Sequence, residues 1–394
     1  MKALRHDPAQ RFTCARCTRC CRHYDVAVTE EEAQRLRRPA LARLWSPTAG
    51  APAASVPDDL ADPLESAAGG LLRLRRRMDG ACGFLAEDGA CRIHAGPGAD
   101  QKPLACRIFP FRVHATEGAP LVTASFSCPT VARNEGEPLA QQLGALGSLV
   151  KSWRRSFPEE TAPLRFAGQR TLAGAVAGEM RGVFSQILDR QGPDGRLDLR
   201  DNVGRMAVLL DDWTRPRVLA LTDADFADYV RLTGRFAASS DKPVVAGRPS
   251  AVGRLQLRGF LLAVIAGRLQ TRGPRHGPRL ALRGRLARVA LHLHGLWPAT
   301  DGIDRGAARR VPLNLEQPEV HARVHHFLRS TLETLPTGAR PLVDELAWAF
   351  ATLHAASQLA AMHAASQGRG AVGAEDLVEG LATASDLGQA GTGG

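Results

Sequence analysis

The spacing of apolar and polar positions divides the chain into an irregular front and a helical remainder. From Pro138 onward apolar residues recur at helical spacing, and Leu139, Leu143, Leu146, Val150 and Trp153 form one continuous stripe. The same period predicts helices near 171–191, 201–213, 223–237, 251–270, 280–296, 318–334, 340–366 and 373–386, separated by Pro and Gly clusters at 239–250 and 272–278. Ahead of Pro138 the pattern is shorter. His23 to Val28 alternates as a strand, and Thr29 with Glu32 three residues on forms a capping box that opens a helix. Leu71 to Arg77 partly alternates leucine with arginine as another strand, leading to a turn at Asp79-Gly80. Glu87-Asp88-Gly89 reads as a hairpin turn that brings Cys82 and Cys91 together. A Pro- and Ala-rich stretch over 39–70 reads as an inserted loop. The expectation is an α+β chain: a small irregular domain over 1–135, a mainly α-helical domain over 136–386, and a disordered tail over 387–394.

Composition changes this picture little. The 394 residues are 44% hydrophobic and 23% charged, which suits a globular chain of two or three domains. The net charge of +11 would normally direct attention to nucleic acid. Here 47 arginines stand against four lysines (Lys2, Lys102, Lys151, Lys242), the mark of a GC-rich coding background that spreads arginine over every helix surface. Nucleic acid is therefore not the expected partner. MKALRHDPAQRF lacks an apolar signal core, which points to the cytoplasm. The apolar run 260–267 is too short to cross a membrane. The uncharged run 346–368 is alanine-rich and contains His354, Gln358, His363 and Gln367, so both runs read as buried helices and no membrane partner is expected.

Candidate chemistry lies in the cysteines. All eight, Cys14, Cys17, Cys20, Cys21, Cys82, Cys91, Cys106 and Cys128, fall in the first third of the chain. A chain expected among reducing thiols has little use for disulfides, and buried apolar cysteines would not repeat at three-residue spacing. Thiolate coordination remains. In Cys14-Ala-Arg-Cys17-Thr-Arg-Cys20-Cys21 each two-residue gap lets consecutive sulfurs converge while backbone amides point at them. Arg16, Arg19 and Arg22 fill the gaps and are expected to lower the thiol pKa values. The spacing matches the first three ligands of bacterial cubane ferredoxins, whose last cysteine precedes proline, as Cys128 precedes Pro129. The side chains of adjacent Cys20 and Cys21 diverge, so one serves a second centre or bridges two. Eight thiolates suffice for two four-sulfur sites, with an iron–sulfur cluster of the 4Fe-4S type as the leading expectation and zinc as the alternative. His23 and His94 lie within three residues of a cysteine and are expected to support ligands rather than replace them. No triple at i, i+4 and i+7 is present, which disfavours radical S-adenosylmethionine chemistry.

CARCTRCC, DGACGFL, GACRIH, KPLACRIFPF and SFSCP together resemble the CxxCxxCC cysteine-cluster proteins, the YkgJ-like family described as zinc- or iron-chelating. The resemblance covers roughly residues 11–135 and uses every cysteine. It implies a metal-organised first domain with all eight cysteines as the chelating set. It also singles out Lys102, Pro103, Arg107, Pro110 and Phe111, with Lys102 and Arg107 placed at the cofactor. Pro103 and Pro110 would fix non-helical backbone on either side of Cys106, and Arg107 would supply positive charge beside an anionic cluster. A looser resemblance, through SFSCPTVAR and the carboxyl-terminal helices, is to flagellin lysine N-methylases. It implies S-adenosylmethionine as a second cofactor and a protein substrate such as flagellin. An enzyme of that kind needs a proton acceptor near the amine, and Tyr24 and Asp25 are the candidates.

Other signals carry less. His294-Gly295-Leu296-Trp297-Pro298 matches the HGLWP core of secreted T2-type ribonucleases without the second His/Glu segment, and reads as helix-termination chemistry. His321 and His325 stand four apart like a zinc pair, but they continue into Leu328 and Leu332 as one stripe, the edge of a partly buried helix. No glycine-rich loop follows a strand, so no Rossmann-type methyltransferase site is visible.

Overall fold

The computed structural model describes residues 4–46, 62–66, 72–116, 119–158, 163–167, 170–192, 194–240, 311, 313–338 and 340–389. The chain separates into two compact units, Pro8–Val113 with Val122–Glu160, and Met1–Asp7 with His114–Leu121 and Thr161–Gly394. Small sheets, short helices and one long helix occupy the first and mainly long helices the second, which makes the chain α+β. Among the described residues no helix is long and apolar enough to cross a membrane.

In the cysteine-bearing unit, β1 (Arg11–Phe12) pairs antiparallel with β7 (Glu137–Pro138), bringing the start of the unit beside its last third. Asn134, left-handed at the end of α6 (Pro129–Arg133), secures this closure. Its Oδ1 accepts from the Arg11 amide at 2.7 Å, and its Nδ2 donates to the Ala9 carbonyl. A second sheet has the order β2 (Ala27–Val28), β4 (Leu72–Leu74), β3 (Leu64–Ser66), antiparallel throughout. The capping box forms as expected. The Thr29 hydroxyl accepts from the Glu32 amide, Glu32 accepts from the Thr29 amide, and helix α2 (Glu30–Leu36) follows.

Two local expectations need correction. The alternation from His23 yields a strand only at Ala27–Val28, because α1 (Arg19–His23) starts within the cysteine run and carries His23 as its last residue. The 39–70 stretch is not simply extruded. Its described ends supply α3 (Pro39–Ala42), Trp45 and β3, and Leu41, Trp45 and Leu64 are buried. They join Val26, Val28, Leu36, Leu74, Phe84 and Ile93 in one core, against which Cys82, Cys91 and Cys106 pack. Apolar burial therefore supports this unit alongside whatever its sulfurs bind. Helix α4 (Arg92–Ala95) follows Cys91 and α5 (Leu104–Ile108) carries Cys106. Strand β5 (Phe111–His114) pairs with β6 (Leu121–Ala124). The predicted stripe forms α7 (Leu139–Ser156), which packs on α5 with Leu139, Leu146 and Val150 buried.

The second unit is a helical assembly centred on α8 (Gly174–Leu188), which packs against α9 (Leu199–Trp213), α11 (Asp223–Ser239) and α12 (Pro318–Thr334). A short α10 (Pro216–Leu219) links α9 to α11. Phe184 lies against Trp213, whose indole N–H donates to Thr233 Oγ1 at 2.9 Å. Helix α13 (Leu342–Ser366) pairs closely with α14 (Ala374–Gln389), and buried Asp376 joins them through His363, Arg369 and the Gly373 amide. Helix α14 runs three residues into the predicted tail. The helices predicted over 251–270 and 280–296 and the HGLWP sequence lie outside the described residues.

Candidate metal centre

The cysteine run leaves β1 with Thr13 Oγ1 accepting from the Glu137 amide. On either side of Cys17 the backbone turns left-handed, at Arg16 (φ 53°) and Thr18 (φ 61°). Each such turn costs a non-glycine residue about 1–3 kcal/mol and is characteristic of chain shaped around a ligand. Thr18 then leads into α1, which carries Cys20 and Cys21. The Cys82 amide donates to the Cys21 carbonyl at 2.7 Å, fixing the next cysteine beside the first group.

The hairpin predicted from Glu87-Asp88-Gly89 is present. Leu85 bridges Cys91 across it, Gly89 takes φ +82°, and a Cβ there would press on the Thr18 methyl. Cys91 then precedes α4, and the Arg92 amide donates to the Phe84 carbonyl. Cys106 sits within α5, with non-helical backbone at Pro103 before it and at Phe109 after it. Glu32 anchors that helix by accepting from the Leu104 amide at 2.6 Å, so one carboxylate caps two helices.

These elements converge on a cavity of about 60 Å³ lined by Cys20, Cys21, Cys82, Cys91 and Cys106. Its remaining wall is mainly apolar, including Val26, Leu74, Phe84, Ile93 and Phe109, with Tyr24, Arg76 and Lys102 as the polar side chains. The thiols influence one another strongly. Cys20 is pushed far above the ordinary thiol range by its hydrogen bond with the Cys21 side chain, then by burial and the charge of Cys21, with Lys102 opposing. Cys82 is pushed up to about 11, first by burial and then by Cys91 and Cys20, while the Phe84 amide and Arg76 pull it down. Burial and the charges of Cys82, Cys20 and Cys91 raise Cys106, again against Lys102. The expectation that Arg16, Arg19 and Arg22 would lower the thiols is not met at these three cysteines. The counteracting cations are Lys102 and Arg76, because desolvation and mutual repulsion among sulfurs depend on tertiary convergence.

The other three cysteines do not line this cavity. Cys14 and Cys17 are exposed, whereas Cys128 is buried at the start of α6. Burial raises the Cys128 thiol, the amides of Val131 and Thr130 donate to its sulfur, and the charge of Cys17 acts on it. The eight sulfurs therefore sort into five around the cavity and three outside it.

The remaining candidates are distributed unequally. Lys102 lines the cavity, but Arg107 turns away and pairs with Asp100 at 3.0 Å. Tyr24 also lines it, stacked obliquely on Phe109, and burial raises its phenol. Asp25 is exposed and held by Arg76 at 2.9 Å and Arg73 at 3.9 Å. Neither His23 nor His94 lines the cavity. In the helical unit His325 contacts Asp189, His321 contacts the Leu197 carbonyl, and His326 is buried, as expected for a helix edge. Sequence reading missed Arg76 and the second bond of Glu32. The run Arg75-Arg76-Arg77 near Cys82 was the available signal for the first, and nothing local indicates the second.

The donor set fits a thiophilic metal. Five sulfurs face an apolar shell, and among the described residues no carboxylate or imidazole lines the cavity. Among the described residues, however, no group of three or more His, Cys, Asp or Glu side chains already stands in the arrangement of a metal site. The cysteines surround the cavity without being drawn onto one point.

Comparison with known families agrees with this chemistry. Residues 13–129 match the model of the CxxCxxCC family, whose description reads "putative zinc- or iron-chelating domain". No curated protein and no solved structure matches the chain, so the looser resemblance to flagellin lysine N-methylases gains no support there.

Proposed function

We propose that the chain is an iron–sulfur protein whose main centre is held in the cavity by four of Cys20, Cys21, Cys82, Cys91 and Cys106. The observation carrying this reading is the cavity volume. About 60 Å³ accommodates several water-sized bodies, since one needs roughly 10–15 Å³, whereas a zinc ion drawn into four thiolates needs no such space. The donor set is consistent with either metal, and the space favours the polynuclear one. When bound, such a cluster supplies electron transfer or a Lewis-acidic iron. The apolar wall lowers the polarity around the sulfurs, and the Phe84 amide and Lys102 moderate their charge. Cys14, Cys17 and Cys128 are assigned to a second, more exposed centre, with the amides of Thr130 and Val131 prepared for the Cys128 thiolate.

Anaerobic purification followed by iron, zinc and acid-labile sulfide analysis tests the reading. A brown protein with visible charge-transfer absorption and matching iron and sulfide is expected. A colourless chain loaded with zinc and free of sulfide would overturn it in favour of a structural zinc domain.

A further inference from the structure

We propose that Lys102, and not Arg107, is the charge-compensating residue of the cavity centre: its ammonium faces the sulfurs and sets how much negative charge they can carry. The inference deepens the metal-centre reading and rests on it. Three observations support it. Lys102 lines the cavity with the five cysteines, and among the described residues its ammonium has neither a carboxylate nor a hydrogen-bond partner, only its backbone amide donating, to the Ala99 carbonyl. Its charge acts on Cys20 and Cys106. The other cation in the wall is committed elsewhere, since Arg76 donates to Asp25 and to the Gly80 carbonyl. Arg107 is likewise paired with Asp100 and does not line the cavity.

The residue type supports the same conclusion. Arginine supplies 47 of the chain's 51 cationic side chains, so a lysine in this wall departs from the background. An ammonium is a compact point charge with three donors, whereas guanidinium is a flat fork suited to carboxylate and phosphate. A sulfur-lined cavity favours the former. Lys102 is thus a positioning residue whose effect is electrostatic. Adding an electron makes the sulfur-ligated site one charge more negative, and a fixed positive charge nearby stabilises that reduced form.

The test uses the full chain, purified anaerobically with iron and sulfide, as wild type, K102Q, K102R and R107Q. Iron and sulfide contents are measured first. The visible absorption is then followed during reduction by dithionite in the presence of redox mediators. All four proteins are expected to load equally. The K102Q midpoint should move negative by about tenfold in the one-electron equilibrium, ~59 mV, while K102R and R107Q stay near wild type. Equal midpoints for K102Q and wild type, or an equal shift in R107Q, overturn the proposal. So does failure of both K102Q and K102R to load, which would make shape rather than charge the requirement; failure of K102Q alone supports it. Zinc without sulfide in the wild type refutes the iron–sulfur reading separately. The same variants then report the charge through the pH at which zinc is lost. K102Q should release zinc at higher pH than K102R and wild type, and coincident release curves overturn the proposal.

Discussion

At the residue scale, the cysteine-bearing unit relies on polar groups that serve two partners at once. Glu32 closes its own capping box and caps α5, the helix that presents Cys106. Glu32→Ala leaves the Leu104 amide without its acceptor and should cost about 1–3 kcal/mol, measurable by denaturant unfolding, together with weaker metal retention. Asp79 makes a second such contact. It receives Arg77 at 2.8 Å and the Ala81 amide, and its carboxyl is held below the ordinary 3.8, chiefly by the Arg77 hydrogen bond. A carboxyl depressed in the folded state contributes stability above its unfolded pKa, and that contribution is lost as pH falls through the folded value. Asp79→Asn should therefore be less stable than wild type at neutral pH, and the difference should disappear as acidification takes the folded carboxyl through its depressed pKa, below the ordinary 3.8. Unfolding curves that remain parallel across that range would contradict the assignment. The five-and-three sorting of sulfurs adds a third expectation. Cys106→Ser should abolish the cavity centre, whereas Cys128→Ser should remove only the more exposed metal, as read by metal per chain and by visible absorption.

At the element scale, what could be read from sequence was what local chemistry decides. The capping box at Thr29 and Glu32, the turn at Gly89 and the helix over 318–334 all follow from residues within a few positions of one another, and all three are present. The strand expected from His23 failed because α1 begins four residues earlier, inside the cysteine run, where no apolar period announces a helix. The role of Trp45 was equally hidden. A Pro- and Ala-rich stretch has the composition of a loop, and only the folded core shows that its indole is buried with Leu64 and Phe84. Similarly, eight clustered cysteines announce metal, but their sorting into five around the cavity and three outside it depends on which elements meet. Close approach of elements gives a direct test. A Cβ on Gly83, the residue after Cys82, would land on the Trp45 indole. Gly83→Ala should thus cost about 1–3 kcal/mol through overpacking and displace the Cys82 turn, lowering metal content. Gly380→Ala, which drives a methyl into the Ala356 carbonyl between α13 and α14, should destabilise the helical unit by a similar amount and leave metal content unchanged.

At the scale of the whole molecule, the two units draw their stability from different sources. The helical unit depends on long amphipathic helices and buried aromatic pairs such as Phe184 with Trp213, none of which involves a cysteine. The cysteine-bearing unit has an apolar core of its own around Trp45, yet three of its cysteines pack on that core, and burial together with neighbouring sulfurs raises the thiols of Cys82 and Cys106. A ligand that binds only the folded form stabilises it according to its concentration over its dissociation constant, so metal adds directly to the stability of this unit. Calorimetry of the intact, metal-loaded chain should therefore show two heat-absorption events. Exhaustive chelation should move the event belonging to the cysteine-bearing unit to lower temperature and leave the helical event in place. A single transition indifferent to chelation would mean that apolar burial alone holds the first unit together and that the sulfurs are not ligands in the folded protein.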